Sequence, residues 1–488
     1  MTDRPDRDGQ TDEPDPTGPD RTDPPAGPAA SDSTDPEAVA DRIAGTVDDA
    51  DIDETVARVR SDLDETATRV KTALAEGDPR VVAAGALGFD GLVYAASRYA
   101  PEYLGVLGGS PLVVGLFGTV AMATVAVASG FDFGSDGDSV TPILAAVAGL
   151  VAWLLAPGLA AATGVPGWVW VVLGVVPLGA TAATADGTSV APTTDPFGVA
   201  PRAGDWRGAA AGAAGVAVTV ALLGIAGTLG AALGALLALG AVLGLAVAAL
   251  RAVDDDPAAA VHDDRDAAVE PETLPAPSEA ATRPSVRPLF RAIRSAPTTA
   301  RSLLVGETLV GVAVGLVSVF VVLVVTSVLG LRTTLLGLRL GPSGTFGALV
   351  VGELALAAAG DAVGRRAESH RRATAALVGG ATLAAAFPLL FVGLPPVTAA
   401  VAALFGLFGL RAAAAGARDD AVAEAVDRSA ADPDDYRTAR ALAVAPAPLV
   451  GGVLYSLDPT VAFGAATTVG VVGVWELRRF ARRTATER

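Results

Sequence analysis

Residues Ala209 to Leu250 read AAAGAAGVAVTVALLGIAGTLGAALGALLALGAVLGLAVAAL, a stretch without one charged side chain. At about 1.5 Å per residue, a helix of that length crosses a hydrocarbon core of roughly 30 Å twice. The run therefore predicts two membrane helices joined by a tight turn at GIAGTLG, Gly224 to Gly230. The whole chain shows the same tension on a larger scale. It has 488 residues, 51% of them hydrophobic, and a mean hydropathy of +0.48, yet its formal net charge is −18. A soluble acidic protein does not carry uninterrupted apolar runs of membrane-spanning length, so charge and apolar surface must occupy separate segments. Lys71 is the only lysine, Arg supplies nearly all the positive charge, and Asp is abundant. Such usage fits a salt-loving archaeon, whose carboxylates keep surfaces hydrated, and a GC-rich genome explains the Arg bias equally well. The absence of cysteine excludes disulfides, thiol catalysis and Cys-ligated metals.

The charge is gathered at the start and near the middle. Residues 1–35 are Asp, Pro, Thr and Gly with hardly an aliphatic side chain, too little apolar surface to offset the entropy of ordering, and predict a disordered acidic tail. No apolar signal core follows the start, which argues against a cleaved secretory peptide. Over 36–77 the apolar residues Val39, Ile43, Val47, Ile52, Val56, Val59, Leu63, Val70 and Leu74 recur at helical spacing among acids, which predicts amphipathic helices on the cytoplasmic side.

Apolar windows after Arg80 predict twelve spans, roughly 81–99, 105–129, 140–160, 166–185, 208–227, 230–250, 303–330, 343–361, 373–393, 395–415, 438–456 and 460–477. The expected architecture is an all-α polytopic membrane protein. A six-helix half over 81–250 and another over 302–480 are separated by an acidic, Pro-rich linker over 251–301, and a short tail follows over 481–488. The linker carries one candidate surface helix, VRPLFRAIRS, Val286 to Ser295. Arginines near span ends set orientation, since short cytoplasmic loops carry the positive excess. With the N-terminus inside, the inside positions include Arg80, Arg202, Arg207, Arg251, the linker arginines, Arg365, Arg366, Arg371, Arg372, Arg437 and Arg440, whereas Arg98, Arg332 and Arg339 fall outside. Both termini and the linker are then cytoplasmic, in a multi-pass protein of the cell membrane.

One of the inside loops reads GDAVGRRAESHRR, Gly360 to Arg372. It places an acid at the end of one helix, a glycine to turn the chain, and arginines able to reach neighbouring helix ends. Arg near a helix C-terminus meets the negative end of the macrodipole, and Asp361 can hold an Arg or a helix N-terminus. Asp361, Gly364, Arg365 and Arg366 are therefore expected to form a latch that breaks when helices move; a plain positive-inside loop would need the arginines alone.

In that pattern, Asp-x-x-Gly-Arg-Arg after the second helix of a six-helix half, the chain resembles the major facilitator superfamily. The resemblance covers about residues 81–480 and is strongest from Leu303 onward, in VFVVLVVTSVLG and in PLVGGVLYSLDPTVAFGAATTVG. It implies two six-helix halves around a central cavity. The first half departs from it, because the loop after its second span, GFDFGSDGDS, holds Asp132, Asp136 and Asp138 but no arginine. LGGS (Leu107 to Ser110) and LGPS (Leu340 to Ser343) stand at matching positions before the second span of each half, as internal repetition requires.

Ionisable groups within spans cost roughly 2.5–3.5 kcal/mol on insertion scales, so each suggests a pathway or a partner. Four qualify: Asp90 near the middle of the first span, Glu353 near the middle of the eighth, and Glu307 and Arg411 nearer the cytoplasmic ends of the seventh and tenth. In the superfamily the first and fourth helices of each half line the cavity. The resemblance therefore implies that Glu307 and Arg411 face one another across it and that Asp90 faces it from the other half. Read for function, these groups orient a solute or carry a proton; read for structure, they form a buried ion pair and an acid in a wet crevice. Tyr94, Trp168, Trp170 and Tyr455 lie near predicted span ends and read as interface anchors. His262 and His370 are isolated, which disfavours a metal site. No nucleophile–base constellation appears in the spans, so an enzyme is not expected.

These readings point to a secondary active transporter that moves a small solute by alternating access, driven by protons or sodium. No cofactor and no nucleic-acid partner are expected, and the chain is expected to act as a monomer in the lipid bilayer. The competing class is a transport-inactive membrane scaffold or sensor, suggested by the missing first-half latch and the long acidic tail.

Overall fold

A computed structural model describes residues 79–128, 140–184, 206–254, 285–335, 337–364, 370–429 and 432–486. The predicted tail over 1–35, the helices expected over 36–77, most of the linker, the first-half loop and Arg365 and Arg366 lie outside the described residues. The described chain is almost entirely helical, as an apolar segment must be where no water is available to its backbone groups. Before the linker come α1 (Pro79–Val106), α2 (Pro111–Ala128), α3 (Val140–Thr163), α4 (Gly167–Thr184), α5 (Trp206–Ala226) and α6 (Leu229–Asp254). The uncharged run thus splits into α5 and α6. The chain reverses at Gly227, whose φ of +70° is a conformation side chains disfavour, at the centre of the GIAGTLG segment predicted to turn.

Within the linker, the candidate surface helix is α7 (Arg287–Ser295), which buries Leu289 and Ala292 and leaves its arginines exposed. Next, α8 (Thr298–Val317) continues without a straight axis. Ser318–Phe320 tighten into a 3₁₀ turn, Val321–Leu323 return to α geometry, and Val324–Val328 widen into a π turn. An antiparallel hairpin follows, β1 (Thr333–Leu335) on β2 (Leu338–Leu340), with Gly337 at φ +82° in its turn. Apolar windows place residues 331–342 in a loop between the predicted spans 303–330 and 343–361, and hydropathy carries no strand signal for them. The remaining elements are α9 (Pro342–Gly364), α10 (His370–Gly393), α11 (Thr398–Leu410) with a 3₁₀ turn at Arg411–Ala414, α12 (Ala415–Asp427), α13 (Pro433–Val444), α14 (Ala447–Leu457) and α15 (Pro459–Thr486).

Among the described residues, nine helices are long and apolar enough to cross a membrane, and Gly167–Gly179 and Thr398–Leu410 are shorter apolar helices. The first helix is not among the nine, since Arg80, Asp90, Arg98 and Glu102 lower its hydropathy. It is also longer than the predicted 81–99, running on through Pro101 to Val106. Prolines within α1, α3, α4 and α10 interrupt backbone bonding, and neighbours supply partners. Beside Pro388, for example, Leu389 N–H donates to Thr467 Oγ1 at 3.0 Å.

Helices before the linker meet those after it along two seams, α2 against α14 and α5 against α9. Both seams rely on small residues that let backbones approach. A Cβ on Gly118 would come within 2.8 Å of Pro448, and one on Gly452 within 2.9 Å of the Pro111 carbonyl oxygen. Across the same seam Leu449 N–H donates to Thr119 Oγ1 at 3.0 Å. Gly347 leaves room for Tyr99 and Val220 at the other seam. The space between the seams is where a cavity forms.

Candidate cavity and its buried charges

The cavity is walled from both sides of the linker. Tyr94, Ser97 and Arg98 of α1, Phe117 and Met122 of α2 and Leu178 of α4 line one side. The other side is lined by Ser318, Val319, Val321 and Val322 of the irregular stretch after α8, Phe346 of α9 and Pro448 of α14. The cavity volume is about 50 Å³, room for a few waters. The walls are mainly apolar, and Arg98 is the one charged side chain among these lining residues. Irregular backbone at membrane depth is tolerated where it lines a cavity, which is where the 3₁₀ turn beginning at Ser318 lies.

Arg98 reaches behind the wall. Its Nη2 lies 3.1 Å from Glu353 Oε2 of α9, with the two side chains 7% and 1% exposed. Its guanidinium also sits over the Phe346 ring, 5.6 Å from the centroid. Farther along α1, Tyr99 donates its hydroxyl to the Ser343 carbonyl oxygen at 3.0 Å, and the Ser343 hydroxyl donates to Glu102 Oε1 at 2.6 Å. Three successive polar groups of α1 are therefore held by α9. Arg98, expected at the end of the first predicted span, is buried within α1, because that helix continues past residue 99 to Val106.

The four predicted intramembrane groups divide. Glu353 joins the cavity through Arg98. Asp90 is half-buried on α1, not among the residues lining this cavity, beside the Gly91–Gly215 crossing where α1 and α5 come into backbone contact. Glu307 of α8 is 6% exposed and binds two arginines: Arg440 Nη2 of α13 donates to its Oε1 at 2.7 Å, and Arg418 Nε of α12 lies 3.7 Å from the same oxygen. Arg411 places its guanidinium over the Phe408 ring, 4.2 Å from the centroid. Sequence reasoning read Arg440 only as a marker of the inner side and did not mention Arg418; their partner is more than a hundred residues away. Asp361 and Gly364 fall at the end of α9, while Arg365 and Arg366 are outside the described residues.

Two expected interface anchors are core residues. Tyr94 is 1% exposed and lines the cavity, and Tyr455 stacks on Phe320 with ring centroids 4.7 Å apart. Trp168 and Trp170 are partly buried against the core. Among the described residues no three His, Asp or Glu side chains are grouped as metal ligands would be.

Neither a protein-family profile nor a curated protein sequence matches the chain. Its structure does match solved transporters. A crystal structure of a POT family transporter in complex with a thioalcohol-conjugated peptide is 12% identical, covers 83% of this chain and 96% of its own, and superposes with a TM-score of 0.54. The nucleoside transporter NupG is 10% identical over 82% of this chain and 99% of its own, at a TM-score of 0.53. A bacterial homologue of the human drug peptide transporters is 14% identical over 83% and 97%, at 0.51. At these identities the common property is the fold, a multi-pass helical membrane fold like that of these transporters.

Proposed function

We propose that this protein is a secondary active transporter that carries a small solute through the cavity between α1, α2, the stretch after α8 and α9. In this reading α1 to α6 form one six-helix half. The other half consists of α8 with its irregular extension, α9, α10, α11 with its extension, the pair α13 and α14, and α15, for twelve spans in all. The halves rock about the α2–α14 and α5–α9 seams, so that the cavity opens first to one side and then to the other. Both termini and the linker are cytoplasmic, the membrane is the cell membrane, and one chain suffices. Protons or sodium drive the cycle, with Asp90, Glu307, Glu353 and Arg411 as the groups available to coupling or substrate. Asp361, Gly364, Arg365 and Arg366 form a cytoplasmic latch.

The observation that carries this reading is the ion pair beside the cavity. Arg98 and Glu353 belong to different sides of the linker, are almost wholly removed from solvent, and lie at the wall of the space a solute would occupy. A buried pair of that kind contributes little net stability over an apolar replacement, so function is a sufficient reason to keep it. The fold shared with solved transporters supports the same conclusion.

The test uses the absence of native cysteine. Cysteines replace Glu102 and Ser343, whose side chains touch at one end of the α1–α9 contact, and a short bifunctional thiol reagent joins them in proteoliposomes. Solute flux, found by an uptake survey, is expected to stop on cross-linking with a cleavable reagent and to return on reduction. Undiminished flux through the cross-linked protein refutes alternation between the proposed halves. A protein with no flux for any solute surveyed supports the scaffold class instead.

A further inference from the structure

Resting on the reading of this cavity as a solute path, we propose that its solute is a small organic anion with an apolar body, held by Arg98 and Ser318 in competition with Glu353. The sign of charge follows from the order of the groups. Arg98 lines the cavity, and Glu353 is fully buried and is not among the lining residues. The cavity thus meets the guanidinium first, with its carboxylate partner behind. A cation entering from the cavity would be repelled by Arg98 before it could reach Glu353. An anion meets a planar donor fork that matches a carboxylate or sulfonate, and can replace one carboxylate by another.

A second polar group points the same way. Ser318 lines the cavity, and its buried hydroxyl has no hydrogen-bond partner among the described residues. Buried hydroxyls are seldom left so, and an oxygen on the solute would satisfy this one. Its position at the start of the 3₁₀ turn fixes it on the wall contributed from after the linker, whereas Arg98 comes from before it. One anionic group bridging both would couple solute binding to the approach of the two walls. Phe117, Phe346, Leu178, Val322, Met122 and Pro448 supply apolar surface for the rest of the molecule. The limited room, equivalent to a few waters, favours a single ring or short chain.

The experiment measures binding of benzoate, benzenesulfonate, benzamide and benzylamine to the full chain in detergent, by calorimetry. Both anions are expected to bind roughly ten- to a hundredfold more tightly than benzamide, the span of a charge-assisted hydrogen bond, and benzylamine no better than the amide. Glu353→Gln should bind benzoate more tightly than the wild type, because the competing carboxylate is gone, an effect a purely structural ion pair would not produce. Should that variant fail to fold, the doubly substituted Arg98→Gln, Glu353→Gln protein removes both buried charges at similar volume and should lose the preference for anions while its melting curve stays cooperative. Equal binding of amide or amine and anions, or an anion preference that survives the double substitution, overturns the assignment. Flux is measured separately with benzenesulfonate, whose permanent charge keeps it from leaking through lipid. Anion binding without flux supports the site and defeats the transport reading; flux of a neutral or cationic solute without anion preference defeats only the anion assignment.

Discussion

Neutralising one member of the Arg98–Glu353 pair should destabilise the protein far more than neutralising both. The charged atoms are 3.1 Å apart and the side chains 7% and 1% exposed. For charges about 4 Å apart in an effective dielectric of 20, the attraction is about 4 kcal/mol, and it is largely offset by the cost of taking both ions out of water. Removing one partner deletes the attraction but leaves the other ion with its desolvation cost. Glu353→Gln and Arg98→Gln should therefore each lower stability by about 3–5 kcal/mol. The doubly substituted protein holds no buried ion at this point and should lose less than either single variant, so the coupling energy should exceed a single loss, about 3 kcal/mol or more. Unfolding of all four proteins in mixed micelles, followed by far-ultraviolet circular dichroism against denaturing detergent, provides the cycle. If the two single losses add to within about 0.5 kcal/mol, the side chains do not interact in the folded protein and the account of the cavity wall fails.

Three further substitutions separate packing from motion. Gly451→Val should prevent stable folding, because a Cβ there would fall far inside van der Waals contact with the Leu316 carbonyl oxygen, whereas Gly464→Ala, with nothing within 4 Å, should leave the melting temperature nearly unchanged. If the proposed latch and transport cycle hold, Asp361→Asn should slow transport while leaving expression and membrane insertion intact, since a charge-assisted contact of about 1–3 kcal/mol shifts a balanced two-state equilibrium without deciding whether helices insert; full-rate transport in this variant would reduce the loop to a marker of topology.

Membrane class was legible in the sequence because insertion depends on local quantities. An uncharged run such as Ala209 to Leu250 is apolar whatever surrounds it, and backbone bonding in lipid then requires helices, so α5 and α6 follow from composition and one turn. The helix over Arg287–Ser295 was readable for the same reason, its periodicity being contained in nine residues. Windows failed where hydropathy and structure part company. Arg98, Pro101 and Glu102 look like the end of a span, yet α1 runs through them because α9 offers Glu353 and Ser343 as partners. Likewise, the breaks at Ser318–Phe320 and Val324–Val328 interrupt a sequence as uniformly aliphatic as any in the chain.

Partner choice was the part no window could supply. Glu353 and Glu307 were recognisable as costly residues from their positions in apolar segments, since the desolvation that makes them costly is local. Which arginine answers each is set by helix packing between residues 255 and 133 positions apart. Small residues permit that packing: Gly347 and Gly118 let α9 and α2 approach across the two seams closely enough for buried side chains to meet. The sequence by itself therefore determined that charges lie within the membrane. Tertiary structure decided that Arg98 confronts the cavity with Glu353 behind it, because the separation and order of charges depend on distances between helices and not on their distance along the chain.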